Sequence, residues 1–236
     1  MNLLYFEMLG SLRGNENHKE DQLRWLTGNI TYNYYVGDAA VGEIVSRMRA
    51  GEIPANLSFQ VGDARSELFM TTGLFTKETV AVMAHELGDT PLPKPKIGLS
   101  VFNVNEIAQL KIAGAILNTA RVYRLFSLED YLDMMNNDGQ YFYLAEADGL
   151  PVGACMAMDG DDFLATTWIG TLPGYRKMGI AGHLLQAAEH DGINRGKTIG
   201  VRNALPIAIG ACKRVGYREY GHIVTLTLKC PVRNGK

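Results

Sequence analysis

The residues best placed to do chemistry lie in one run, Ile169-Gly-Thr-Leu-Pro-Gly-Tyr-Arg-Lys-Met-Gly-Ile-Ala-Gly-His-Leu-Leu185. An apolar stretch ends at Thr171, a loop carries Pro173, Gly174 and Gly179 beside Arg176 and Lys177, and helical spacing begins at Met178. Glycines let successive backbone N–H groups converge on one point. A helix starting there adds amides without intrahelical acceptors and the partial positive charge of its N-terminus. With two cationic side chains alongside, this is the makeup of a diphosphate-binding turn. Two commoner phosphate motifs fail. No GxGxxG stands here, and Gly196-Lys197-Thr198, which ends like GxxxxGK[ST], has Asp191 where the first glycine belongs. An aspartate there repels phosphate, so 196–198 reads as a turn before a strand.

Metal and disulfide chemistry find little support. Cys155, Cys212 and Cys230 make an odd number without CxxC spacing, which fits a reducing cytoplasm and no disulfide framework. His183 and His190 are seven apart on a helical pattern, and no histidine pair has metal-ligand spacing; no metal is expected.

The elements that must position the run alternate. Ile97–Val101 is a strand, 103–121 a helix, and Ser127-Leu-Glu-Asp130 opens a second helix with a capping-box spacing. Gln140–Ala147 and Pro151–Met158 form a hairpin about Asp148-Gly149. Phe163–Thr171 is a strand, Met178–Ile193 a helix, Thr198–Val201 a short buried strand and Ala204–Val215 a helix stopped by Gly216. The final strand lies within Tyr217–Leu228. Three prolines in 91–96 read as a boundary. Before it, Ile30–Val36, Asp38–Arg49, Leu57–Val61, Ala64–Thr72 and Thr79–Ala84 alternate strand and helix. Gly73 and Val80 echo Gly216 and Ile223 at one offset of 143 residues. Met1–Met8 reads as a helix of the mature protein, since Glu7 interrupts its apolar stretch and no basic region precedes it.

With 236 residues, 47% of them apolar, the chain can bury a core without staples. A net charge of −2 argues against nucleic-acid binding by bulk positive charge, and no apolar run is long enough to span a bilayer.

Arg176-Lys-Met-Gly179-Ile-Ala181 matches the [RQ]xxGx[GA] signature of the GCN5-related N-acetyltransferases, the GNAT family, in its expected setting of upstream strand and downstream helix. Asn203 and the helix end Ala211-Cys-Lys-Arg-Val-Gly-Tyr217 extend the resemblance, which covers about residues 97–229. It implies an α/β (α+β) acyl-CoA N-acyltransferase fold, with a central mixed, mostly antiparallel sheet flanked by helices. Residues 97–236 would form that domain, 91–96 a linker, and 1–90 a smaller, degenerate GNAT-like copy, structural in role. The copy lacks a glycine-rich basic loop after Tyr35 and should bind no cofactor.

The resemblance further implies acetyl-CoA as cosubstrate and direct transfer of its acetyl group to a primary amine of a small molecule or protein. The diphosphate would sit on Arg176, Lys177, Met178, Gly179, Ile180, Ala181 and Gly182. The pantetheine arm would pair with Ile169, Gly170 and Thr171 and contact Asn203. Cys212 stands where the family often has a tyrosine acid, and is either a poor substitute or a small core residue; Tyr175 and Tyr217 are alternative hydroxyls, with no spacing to promote either. No carboxylate lies on 163–171; Glu146 on the preceding strand is a candidate base, Asp161 and Asp162 at the strand's start read rather as solvated turn charge, and a water chain leading to no single residue is the other route. Trp168 and the methionines 134, 135, 156 and 158 read as pocket wall or core. A non-catalytic acyl-CoA sensor, and an interaction protein that packs against a partner or as a homodimer, are the alternatives.

Overall fold

The computed structural model describes residues 41–88, 92, 94, 97–119 and 126–229, together with the backbone of 15–20, 23–28 and 32–35. The expected helix at Met1–Met8, most of 91–96 and Cys230 lie outside the described residues. The chain divides into two compact units, residues 1–81 with 221–236, and residues 82–220.

The first unit contains β1 (Asn15–Glu20), β2 (Leu23–Gly28), β3 (Tyr32–Tyr35), α1 (Val41–Ala50), β4 (Asn56–Gln60), α2 (Ala64–Thr71) and the first part of β5 (Phe75–Glu86). It also takes residues 221–228 of the last strand, β11 (Arg218–Leu228). Its strand order is β1-β2-β3-β4-β11-β5. The hairpin β1–β2, with Asn15 opposite Gly28, is absent from the sequence expectations; Asn-Glu-Asn-His-Lys-Glu has no apolar alternation to reveal it. β3 and β4 are parallel, whereas β4 and β11 are antiparallel. Asp63 caps α2, accepting from the Arg65 amide at 3.0 Å and from its guanidinium. Those hydrogen bonds hold the Asp63 carboxyl below its ordinary pKa. Ile44, Met48, Phe59, Phe69, Phe75 and Leu226 fill the core.

The second unit contains β6 (Leu99–Asn103), α3 (Ile107–Thr119), α4 (Leu128–Asn136), β7 (Gln140–Ala147), β8 (Leu150–Asp159), β9 (Phe163–Thr171), α5 (Ile180–Asn194), β10 (Ile199–Ala204) and α6 (Pro206–Val215). Its strand order is β5-β10-β9-β8-β7-β6. β9 and β10 are parallel, and β6 to β9 form an antiparallel meander. The β7–β8 hairpin turns on Asp148 and Gly149 at φ 50° and 80°, the geometry that Asp-Gly favours. Ser127 and Asp130 make the expected capping box of α4.

Alternation assigns the helices to opposite faces. Tyr143, Ala145, Cys155 and Ala157 share a cluster with Ile180, Leu184 and Ala188 of α5. Phe142 points the other way, edge-on to Tyr131 of α4. On that face Trp168 stacks on Phe126 at 4.8 Å, which in turn meets Tyr131. Met134, Met156 and Met158 are buried, so these residues act as packing.

Candidate functional site

β9 and β10 pair only over Phe163–Ala165 and Ile199–Val201. β10 continues to Ala204 and β9 to Thr171, so beyond Val201 the two parallel strands part. A register shift against β8 marks the same stretch. From Cys155↔Ile169 to Ala157↔Thr166, β8 advances two residues and β9 three. The extra residue is a bulge at 167–168, and a bulge bends its strand and interrupts its ladder. The end of β9, holding Ile169, Gly170 and Thr171, is thus paired to β8 on one side and faces a gap on the other. Asn203 lies on the opposite wall of this gap, inside β10; the expectation placed it after the strand. Its Oδ1 is buried and has no hydrogen-bond partner.

The loop after β9 is locally determined. Leu172 N donates to Val152 O at 2.9 Å, and Pro173–Tyr175 make one 3-10 turn. Arg176 is extended, and its Nε donates to Thr171 O at 3.3 Å. Lys177 and Gly179 are both left-handed, at φ 63° and 90°. Gly179 occupies the N-cap of α5, so the helix begins at Ile180 rather than at Met178. The backbone amides from Lys177 to Ala181 have no acceptor among the described residues, while those of Gly182 and His183 bond Gly179 O at 2.9 and 3.2 Å. Two left-handed residues within three make the kind of turn at which successive N–H groups converge on one concavity, an anion-binding nest. A left-handed lysine costs about 1–2 kcal/mol, strain kept at this turn. Gly153 seats the helix start: a Cβ there would stand 2.7 Å from Ile180 Cγ2 and 3.1 Å from Leu184 Cδ1.

The structure brings Ile169–Thr171, Arg176–Gly182 and Asn203 to one end of the sheet. Glu146 is at that end too, two strands away on β7, opposite Ser100 and Pro151 and half-buried. Cys212 is fully buried on α6, and its thiol donates to Ala208 O of the same helix at 3.1 Å. Burial pushes that thiol up, against the nearby Arg202 charge. A cleft of about 550 Å³ lies elsewhere, lined by Val101, Tyr143, His183, Gln186, His190 and Asp191 among others, and by none of residues 169–182.

The sequence reading noted Tyr217 as an alternative hydroxyl but missed the residues grouped with it, His85, Thr166, Glu189 and Arg202. Between the sheet and α5, His85 Nε2 meets Glu189 Oε1 at 3.2 Å, and the Tyr217 ring lies 4.2 Å from His85. Tyr217 OH contacts Thr166 Oγ1 at 3.5 Å. Burial, then Glu189, push the Tyr217 hydroxyl well above its ordinary pKa. Gly200 leaves room for this group, since a Cβ there would stand 2.9 Å from His85, Leu87 and Tyr217. Arg202 is 4% exposed, and neither its Nε nor its Nη1 has a partner.

Residues 114–217 match the family described as Acetyltransferase (GNAT) family. No curated protein matches the chain. Among solved structures it is similar to a GCN5-related N-acetyltransferase from Kribbella flavida, at 17% identity over 98% of this chain and 95% of that one, TM-score 0.66. It is similar to another from Sphaerobacter thermophilus, at 17% identity over 87% and 79%, TM-score 0.61. A GCN5-related N-acetyltransferase-like protein from Streptococcus suis aligns at 10% identity over 96% and 93%, TM-score 0.64. The fold is the α/β GNAT fold, with a mixed sheet flanked by helices.

Proposed function

We propose that residues 82–220, most of which match the GNAT family, form an acetyl-CoA-dependent N-acetyltransferase whose acceptor is a primary amine of a small molecule or protein. The observation that carries this reading is the row of acceptorless amides from Lys177 to Ala181, beside a strand that has parted from its neighbour. The residues present fit the cofactor. The nest suits a diphosphate, Arg176 and Lys177 add charge, the free side of Ile169–Thr171 suits the amides of a pantetheine arm, and Asn203, on the strand across the gap, has an orphaned buried acceptor in Oδ1. Acetyl-CoA supplies an activated acyl carbon and a thiol leaving group. A backbone N–H near Gly170–Leu172 would polarise the acyl carbonyl; such donors contribute about 3–4 kcal/mol elsewhere.

In this reading Glu146 is the carboxylate at hand for the acceptor's proton. Cys212 holds the position of the acid, although its bond to Ala208 O favours a packing part. The first unit is read as a degenerate copy. Its order β3-α1-β4-α2-β5 repeats β9-α5-β10-α6-β11, each beginning with a parallel strand pair. The protein would act in the cytoplasm, without nucleic acid, membrane or metal, as a monomer or homodimer.

A second reading, acyl-CoA binding without catalysis, is favoured by the tied Cys212 thiol and the lack of a carboxylate on β9. The test is thermal unfolding with acetyl-CoA, desulfo-CoA and dephospho-CoA, followed by CoA release with a panel of amines. A ligand at a hundredfold excess over its Kd stabilises the folded state by about 2.7 kcal/mol. Stabilisation lost in Gly179→Pro, together with amine-dependent thiol release, supports the transferase. Stabilisation without release by any amine supports the sensor, and no stabilisation by any CoA species refutes both.

A further inference from the structure

Arg202 is the first residue of β10 past its last pair with β9, Val201↔Ala165, so it stands at the base of the gap. Alternation puts it on the face of Gly200, toward α5 and α6. Its guanidinium is buried with Nε and Nη1 unpartnered, and no carboxylate among the described residues forms an ion pair with it. The carboxylate of the cluster, Glu189, is engaged by His85. A guanidinium does not shed its proton to escape burial. Donors left unmade in a protein interior are costly, so two of them on a permanent cation mark a place where an anion is to be received.

We propose that Arg202 holds the departing sulfur of coenzyme A, stabilising it as a thiolate where a hydroxyl acid would otherwise protonate it. This rests on the acyl-CoA reading of the parted strands. The acyl group carries no charge and the amine must lose its own before it attacks, so an anion arises only as the carbon–sulfur bond breaks. An unpaired cation fixed in advance therefore favours the transition state over the bound substrate. The acceptor nitrogen bonds to the acyl carbon, the carbon–sulfur bond breaks with its electron pair on sulfur, and Arg202 keeps its protons. The nitrogen's surplus proton passes to Glu146, the base of that reading, and on to solvent, and solvent reprotonates the thiolate after release. The charge already reaches sulfur in this region: it opposes the burial that pushes Cys155 up to about 12 and raises Cys212. Glu189, His85, Tyr217 and the two cysteines are the titratable groups facing it.

The test needs no acceptor. The intact protein saturated with CoA is titrated with base, following thiolate absorbance in the ultraviolet, with desulfo-CoA-saturated protein subtracted to remove its own cysteines. The expected result is a bound thiol with about tenfold or more excess thiolate over free CoA at the same pH. Arg202→Met abolishes the excess and Arg202→Lys retains part of it; Arg202→Gln replaces Arg202→Met if that variant does not fold. A bound thiol that titrates as in free CoA overturns the assignment while leaving the acyl-CoA reading intact. So does an excess that survives Arg202→Met or Arg202→Gln. Absence of any CoA-dependent stabilisation of the wild type overturns both. Preference for succinyl-CoA over acetyl-CoA, lost in Arg202→Gln, also overturns it, because the guanidinium would then serve an acyl carboxylate in the bound substrate.

Discussion

Backbone rather than side chain should dominate CoA binding, and three substitutions separate the two. Arg176 is exposed, and its Nε already donates to Thr171 O. An exposed ion pair contributes about 1 kcal/mol or less, so Arg176→Ala should weaken CoA about fivefold or less. Gly179 sits at φ 90° in the middle of the nest. Gly179→Pro deletes one N–H aimed at a charged group, which costs about 1.5–3 kcal/mol. It also drives φ to about −65°, turning the flanking amides away, so the loss should reach a hundredfold or more. Gly179→Ala keeps the amide, and the added Cβ meets only His183 Cδ2, at 3.9 Å. Its cost of about 1–2 kcal/mol is conformational strain and should appear in thermal stability, with affinity within a few fold. Isothermal titration with CoA measures affinity, and circular dichroism confirms the fold. A larger loss in Arg176→Ala than in Gly179→Pro would refute the reasoning.

Cys212→Ala should leave CoA affinity and turnover within about threefold while lowering stability by about 1 kcal/mol; a hundredfold fall in turnover at unchanged affinity would restore Cys212 as the acid. Gly153→Ala places a Cβ 2.7 Å from Ile180 Cγ2 and should cost about 1–3 kcal/mol, as thermal unfolding will report. His85→Ala leaves buried Glu189 without its partner and should cost about 3 kcal/mol, a value that denaturant titration checks. Asp63 has a lowered folded pKa, so its stabilising contribution is full above the unfolded value of about 3.9 and is lost as pH falls through the folded one. The stability gap between wild type and Asp63→Asn should therefore close below about pH 4, and a gap that persists there would count against the Arg65 pairing.

What the sequence revealed was local. Gln140–Ala147 and Phe163–Thr171 appear with the expected bounds, because alternation and the Asp148-Gly149 turn agree. The capping box of α4 and the glycine stop of α6 are chemistry of three or four adjacent residues. The start of α5 shifts by two residues because Gly179 takes a left-handed N-cap, a backbone conformation that composition does not specify. The partners of β11 do not follow from local pattern either, since β4 lies more than 150 residues away in sequence. Asn203 fell outside the expected strand for a related reason: β10 keeps its extended form after losing β9, and a buried run of Gly-Val-Arg looks like a strand end.

The cluster around Arg202 has members at 85, 166, 189, 202 and 217, and no spacing links them. A signal was nonetheless available. Ile180, Leu184, Leu185, Ala188 and Gly192 form the buried stripe of α5, and Glu189 stands within it, four residues from Leu185 and three from Gly192. A carboxylate on an apolar stripe must meet a partner inside, which calls for a buried histidine or cation on the facing strands. Tracing that demand finds His85, then Arg202, whose own donors are unmet. The two positions thus carry opposite implications. Glu189 is satisfied, and its part is to fix His85 and Tyr217. Arg202 is unsatisfied, and an unmet charge beside a gap between parted strands is a functional statement that packing alone does not account for.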